Sequence, residues 1–439
     1  MTVGGAIRRN IFWTRDRMRN GGELRAAYDQ IIAVYEARNA GTERLVARRL
    51  EQLLAHATNT TAYYAHLRGC TDLSQFPVID KMTIIENTDA MSSEPWKGKK
   101  LHEMHTSGST GIPFTIRQDP RKRQRVIAEL KAFNEIANYP SHERMLFVAA
   151  NVKAGDFSWR QQFREDIWRV NVGVNDTEKM TEIVRFCTRR KPWAIHVSAS
   201  NLLAIVEFLE AQQVDPASLS SVRSIITGGE TVPASLRARA EAAFGPQCHV
   251  YVHYSNEEMG IYGIDTGQDT PYILNWANYH FEILRQDSDE PCEPGELGRI
   301  VVTDLYNEAV PMIRYDTGDI GSIVDGGPGL WPVMNQLSGK RRDLLYDTRG
   351  FSISGPSVTN LLKNVRNVRM FQVIQTDAKA FTYKVVGIDG TPSDEDIMLP
   401  QLRELLGADA DITVEVTDEI PETNSQKRRY TVNLWRPQD

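Results

Sequence analysis

AIHVSASNLLAIVEFLEAQQVDPASLSSVRSIITGGE, residues 194–230, decides the fold class. AIHVSA is a short β-type run, and NLLAIVEFLEAQ after it places apolar residues at helical spacing. VRSIIT (222–227) returns to β-branched, strand-like sequence. The same alternation extends outward. RMLFVAAN (144–151) reads as a strand upstream. Downstream, a helix spans 233–244, with Pro233 in its first turn and Gly245 as its stop, and CHVYVHY (248–254) follows as a strand. Strand–helix–strand order of this kind predicts an α/β protein with a largely parallel sheet covered by helices.

Residues 23–57 predict two amphipathic helices, the first on Leu24, Tyr28, Ile31, Ile32 and Tyr35, the second through Leu45, Leu50, Leu53 and Leu54. From 279 to 324 the runs YHFEILR, GRIVVTDL and DIGSIV are separated by turn residues, which predicts a β-rich, antiparallel region. Beyond about residue 343 the pattern tightens into FQVIQ (371–375), FTYKVVG (381–387), a helix near 394–406 and DITVEVTD (411–418), a small α+β unit. The expected domains are therefore 1–342 and 343–439.

Composition excludes several function classes. The chain has 439 residues, 41% apolar and 25% charged, with a net charge of -6 and a pI of about 5.9, so general attraction to nucleic acid or an anionic membrane is not expected. The basic run RKRQR (121–125) reads as a solvated helix face. Cys70, Cys187, Cys248 and Cys292 form no CxxC pair, which fits a reducing compartment and no standard zinc motif. MTVGGAIRRNIFWTRDRM lacks the apolar core of a secretory signal, and no apolar run is long enough to cross a bilayer. A soluble, cytoplasmic protein is expected.

HTSGSTGIPF (105–114) raises the question of chemistry. Glycines let backbone N–H groups approach a phosphate and hydroxyls add donors, but the same residues also dominate ordinary turns. No GxxxxGK[ST] occurs, and no GxGxxG opens a helix. The decision comes from the order of other stretches: GGE at 228–230, YSNEEMG at 254–260, IRYDTGD at 313–319 and IPETNSQKRR at 420–429. With TSGSTG at 106–111 they resemble the successive motifs of the adenylate-forming superfamily, the acyl- and aryl-coenzyme A ligases. PGELGRIVVTDLYNEAVPMIRYDTGD (294–319) and YYAHLRGCTDLSQFPVIDKMTI (63–84) are similar to its phenylacetate–coenzyme A ligase branch, which includes capsule-associated relatives.

The resemblance implies ATP-dependent conversion of a small, aromatic carboxylic acid to an acyl-adenylate, followed by transfer to coenzyme A, with ATP and Mg²⁺ required. Ser107, Gly108, Ser109, Thr110 and Gly111 become the cradle for the β- and γ-phosphates, Thr110 counting among the catalytic residues. Glu258, at the register four residues after Tyr254 where the family pattern places a carboxylate, becomes the Mg²⁺ ligand in preference to Glu257; a hard cation takes one or two carboxylates plus phosphates. Gly229 and Glu230 would border adenine and the acyl pocket; Tyr254 would lie against adenine or be a core aromatic. Asp319 would accept from both ribose hydroxyls. Lys427 would stabilise charge as pyrophosphate leaves. In LSGKRRDLL (337–345) Asp343 would be the hinge about which the C-terminal domain swivels, and Lys340 or Arg341 would contact the nucleotide.

Three positions depart from the family pattern: Lys340 where Arg is usual, Gln426 where Gly precedes the catalytic Lys, and Asp316 where relatives generally carry Arg. They keep open an alternative in which the activated group passes to an amine or a carrier-protein thiol. Some relatives hold zinc just after the Mg²⁺-binding glutamate, but the matching stretch here has no Cys and only His280. Cys248, His249 and His253 read as core or pocket residues, with His253 and Trp276 as acyl-pocket candidates. The expected partners are the acid, ATP and an acceptor; neither nucleic acid nor membrane is expected, and a homodimer stays open.

Overall fold

A computed structural model describes residues 1–106, 114–149, 158–172, 177–267, 270–340, 344–353, 358, 368–387, 395–420 and 430–435. Two compact units make up the chain. The larger comprises Met1–Gly229, Ala240–Thr317 and Ser322–Gln336; the smaller comprises Glu230–Arg239, Gly318–Gly321 and Leu337–Asp439.

Helix α1 (Val3–Asn20) begins where the Thr2 hydroxyl accepts from the Gly5 N–H and ends at Gly21, whose φ of 63° suits a left-handed cap. It is absent from the sequence expectations. The two expected amphipathic helices are α2 (Glu23–Glu36) and α3 (Ala40–Thr60), the latter opened by a capping box between Asn39 and Thr42. Short helices α4 (Lys81–Glu86) and α5 (Thr88–Met91) precede an antiparallel pair, β1 (His102–Thr106) and β2 (Phe114–Gln118), in register Thr106 to Phe114. Asp119 then caps α6 (Pro120–Ile136) by accepting from the N–H groups of Arg121 and Lys122.

The expected alternation follows as β3 (Met145–Ala149), α7 (Trp159–Glu165), β4 (Ile167–Asn171), α8 (Thr177–Arg190), β5 (Ala194–His196), α9 (Ala199–Ala211), β6 (Ser224–Gly228), α10 (Ala234–Phe244) and β7 (His249–Asn256). These strands pair in parallel in the order β4–β3–β5–β6–β7. The β-rich region supplies β8 (Gly260–Asp265), β9 (Tyr272–Leu274), β10 (Tyr279–Leu284), β11 (Gly298–Asp304), β12 (Tyr315–Val324) and β13 (Val333–Lys340). Both regions belong to one eleven-stranded sheet, ordered β10–β11–β12–β13–β9–β8–β7–β6–β5–β3–β4. Parallel and antiparallel halves meet where β8 turns back against β7, pairing Asn256 with Gly260.

The run at 121–125 is not a solvated face. Lys122 and Arg125 are 0% and 5% exposed. The Lys122 Nζ lies 2.7 Å from Asp304 Oδ2, with both side chains fully buried, and 4.9 Å from the Tyr279 ring centroid. Arg125 donates to Asn278 Oδ1 at 2.6 Å, to the Ala277 carbonyl at 3.2 Å and to Gln30, and lies 3.9 Å from the Tyr306 ring centroid. Charge run alone misled because the acceptors lie about 150 residues downstream.

The smaller unit contains the expected α+β fold: β14 (Leu345–Tyr346), β15 (Ser352–Ile353), β16 (Val368–Gln375), β17 (Ala380–Gly387), α11 (Glu395–Leu406), β18 (Asp411–Val416) and β19 (Thr431–Asn433). Its four-stranded sheet runs β18–β17–β16–β19. Phe371, Val373, Phe381, Tyr383 and Val385 from the sheet bury against Met398, Leu402 and Leu406 of α11. Among the described residues no helix is long and apolar enough to cross a membrane.

A buried ion pair tolerates joint removal better than the loss of one partner. Lys122→Met, which leaves Asp304 buried and unpaired, is expected to cost about 3–5 kcal/mol in urea unfolding. Lys122→Met with Asp304→Leu is expected to recover most of that loss; equal losses in the single and double variants would refute the pairing.

Candidate active site

The parallel strands end together. β6 stops at Gly228, beside His253 of β7, and the chain turns through Gly229 at a φ of 77°. One residue beyond His253, Tyr254 is 8% exposed, with ring centroids of Tyr262 and Tyr272 at 5.2 and 6.4 Å. Its immediate surroundings are thus those of a buried aromatic. After β7 the turn Glu257–Glu258–Met259 leads into β8. Gly229, Tyr254 and Glu258 therefore lie at the carboxyl end of neighbouring strands, where open α/β sheets take ligands. Glu258 is half-buried, and its carboxylate makes no hydrogen bond or ion pair among the described residues. Carboxylate oxygens are the hard donors that Mg²⁺ takes.

What fixes this turn is Glu129, which the sequence reading missed. Its carboxylate accepts from the Ile261 N–H, from Asn275 and Tyr279 at 3.0 Å each, and from Asn278. Tyr279 Oη also lies 2.9 Å from the Met259 carbonyl. Gly260, at a φ of 135°, lets the backbone pass this carboxylate; a Cβ there would collide with it. Burial raises the Glu129 pKa, while the Lys122 charge and the donated hydrogen bonds oppose that shift. A signal was present: Lys122, Arg125 and Glu129 share the helix face of Ala128, Ala132 and Phe133, so polar residues fall on the apolar side.

Strand β12 carries the RYDTGD motif. Arg314, at a φ of 53°, donates to the Phe76 carbonyl at 2.8 Å and pairs with Glu282 at 3.1 Å. Ile79 N–H donates to the Arg314 carbonyl, and Asp316 N–H to the Ile79 carbonyl, which stitches the 63–84 segment to this strand. Asp316 lies 3.1 Å from Arg299, each side chain about nine-tenths buried, so the carboxylate that replaces the family's usual Arg has its own partner. In the smaller unit Asp319 is 8% exposed and pairs with Lys340 at 3.0 Å. The Lys340 side chain is 42% exposed, so screening keeps this pair weak. Glu230 is half-buried.

Ser107, Gly108, Ser109, Thr110, Gly111, Arg341, Asp343 and Lys427 lie outside the described residues.

The described cysteines and histidines sit in separate surroundings. Cys248 is buried and its thiol pKa is raised by desolvation, whereas His249 is exposed on the opposite face, 3.9 Å from Glu241. Trp276 belongs to the core of the antiparallel half: its ring stacks on Trp331 at 5.7 Å and its N–H donates to the Pro332 carbonyl at 2.8 Å. Among the described residues no group of three His, Cys, Asp or Glu could hold a metal ion. Desolvation holds His280 and His196 down to about 4, although His196 keeps some exposed surface at the end of β5. His253 is held lower still, at about 3, by burial and then by His196.

This architecture is the fold of the adenylate-forming ligases. A solved structure, 2-hydroxyisobutyryl-CoA ligase in the postadenylation state with R3-HIB-AMP, superposes with a TM-score of 0.70 at 18% identity, covering 89% of each chain. In sequence the chain is similar to the phenylacetate–coenzyme A ligases and to CapK. It is 25% identical to phenylacetate-coenzyme A ligase of Escherichia coli (strain K12) over 71% of this chain and 74% of that protein. It is 22% identical to Protein CapK of Staphylococcus aureus over 88% of each. Residues 345–434 match the CapK C-terminal domain family. The resemblance read from the motifs and the expected fold class are both borne out.

Glu129→Ala would strand the Ile261 N–H and one amide proton each of Asn275 and Asn278, while Tyr279 keeps the Met259 carbonyl, and at about 1–3 kcal/mol for each unpaired group it is expected to destabilise by at least ~3 kcal/mol. Chemical denaturation measures this, and a loss below 1 kcal/mol would remove Glu129 from its anchoring role. His196, His253 and His280 bear on acid stability. Their folded pKa values lie below the ordinary 6.5, so the folded state binds fewer protons than the unfolded chain. Their stabilisation is complete above pH 6.5 and falls as pH drops toward 4, by up to about 1.4 kcal/mol per pH unit per histidine. Flat stability between pH 6.5 and 4.5 would contradict it.

Proposed function

We propose that the protein activates a small carboxylic acid, aromatic by the branch it resembles, with ATP and passes the acyl group to coenzyme A. The observation that carries this reading is the Glu258 carboxylate, without a partner among the described residues, at the carboxyl end of β7 in an adenylate-forming fold. The acid's carboxylate oxygen attacks the α-phosphorus, the bond to pyrophosphate breaks, and an acyl-adenylate results. In the second half-reaction the thiolate of the acceptor attacks the acyl carbon and AMP leaves.

Both reactants of the first step are anionic, so donors and positive charge along the phosphates are what the protein must supply. Ser107, Ser109 and Thr110, with the amides of Gly108 and Gly111, fill that role between β1 and β2. Glu258 holds Mg²⁺, which neutralises phosphate charge. Asp319 accepts from the ribose hydroxyls, steadied by Lys340 at 3.0 Å. Arg341 is the other cation available to the nucleotide in this stretch. Gly229, Glu230 and Tyr254 border the adenine and acyl pockets, and Lys427 meets the departing pyrophosphate. A small domain beginning at Asp343 swivels between the half-reactions.

A second reading, transfer to an amine or a carrier-protein thiol, rests on the departures from the usual motif pattern at Asp316, Lys340 and Gln426. Incubation with ATP, Mg²⁺ and a panel of acids, with and without coenzyme A, followed by mass spectrometry, separates the two. An acyl-coenzyme A product supports the first; acyl-adenylate with indifference to coenzyme A supports the second; no AMP with any acid overturns both. Lys427→Ala is expected to lower adenylate formation by ~10²–10³-fold while ATP still binds. Asp319→Ala is expected to weaken ATP binding about 10–100-fold, the worth of hydrogen bonds to a charged group. Unchanged values would remove either residue from its role.

A further inference from the structure

We propose that α1 and α7 form a docking surface for an anionic lipid bilayer, which would hold this ligase at a membrane face without crossing it. The inner side of α1 is already fixed to the larger unit. The Thr2 hydroxyl donates to Glu143 at 2.9 Å, Arg8 pairs with Asp166 at 2.6 Å and Arg9 with Glu135 at 3.3 Å. Gly5 and Asp16 are buried, Phe12 meets His142, and Trp13 meets Tyr28. That leaves the outer side, which carries Val3, Ile7, Ile11 and Met18, exposed by 80, 55, 52 and 80%. At 100° per residue these four side chains fall on one stripe of less than a quarter of the helix circumference.

A surface helix that has already buried one face has no folding reason to place apolar residues along the other. Flanking the stripe are Arg15, Arg17 and Arg19, all exposed and without a hydrogen bond or ion pair among the described residues. The segment Val3–Asn20 holds five arginines against one aspartate, in a chain whose net charge is -6. Arg8 and Arg9 are answered by Asp166 and Glu135, so the positive charge of the outer face is that of Arg15, Arg17 and Arg19. Asp166, the partner of Arg8, directly follows α7, whose Trp159 and Phe163 are 72 and 76% exposed at a spacing of four residues. Aromatic and aliphatic side chains with arginines beside them are the composition of helices that lie in the headgroup region.

Charge decides between occupants. An isologous dimer would set this patch against itself and bring two arginine clusters together. Anionic headgroups instead neutralise them, while the apolar stripe enters the acyl boundary. The overall negative charge makes long-range attraction weak, so both components are needed.

Co-sedimentation of the full chain with vesicles tests this, using phosphatidylcholine alone and phosphatidylcholine mixed with phosphatidylglycerol. Binding is expected only to the anionic vesicles and is expected to weaken with salt. Ile7→Asp with Ile11→Asp should abolish it. Arg15→Gln, Arg17→Gln and Arg19→Gln together should weaken it roughly a hundredfold, at about a tenfold effect or less per arginine. Circular dichroism and AMP release should match wild type in both variants, since neither touches the nucleotide or acid site. Failure to sediment with anionic vesicles at low salt overturns the proposal. So does a concentration-dependent dimer in light scattering that Ile7→Asp dissolves, which would give the surface to a second copy.

Discussion

The turn that carries Glu258 rests on charges that α6 buries. Lys122 against Asp304 at 2.7 Å, Arg125 against Asn278, and Glu129 against four donors form one set inside the larger unit. Taking such groups out of water costs several kcal/mol each, and only a nearly full complement of partners offsets it. A half-satisfied arrangement is worse than none, so the cluster admits little geometric slack. Its members come from α6, from the start of β8, from the Asn275–Tyr279 segment and from the end of β11. Locking them together places β2, which leads into α6, and the turn that carries Glu258, which leads into β8. Stability and site geometry here share one network.

The same reasoning shows what a sequence can and cannot disclose. Alternation over 194–230 was legible because periodicity is local: each strand and helix writes its own pattern of burial. The ordered motifs were legible because they name backbone turns and side chains that act within a few residues of each other. RKRQR was misread because its acceptors lie across the chain, and charge beside charge looks solvated until those acceptors are known. Asp316 looked like a disturbance of the nucleotide motif, yet Arg299 on the neighbouring strand answers it at 3.1 Å. That pairing follows from sheet order β11–β12, which no local pattern contains. α1 escaped for another reason. Its burying face is made of Gly5, Phe12, Trp13 and Asp16, too mixed to register as an apolar stripe.

Polar residues in this chain sort by how completely the protein satisfies them. Glu129 and Asp304 are buried and matched by donors or a cation, which is the mark of structure. Asp319 is nearly buried and paired with a lysine that remains 42% exposed, a pair that solvent screening keeps weak. Glu258 is half-buried and unmatched among the described residues. A carboxylate held still by its backbone yet given nothing to bind gains no folding stability from its charge. Its rigidity is supplied from beneath, by Glu129 and Tyr279 on either side of Gly260. Such a division, one glutamate spent on holding and the next left open, is the physical basis for reading the turn as a cation site rather than a surface loop.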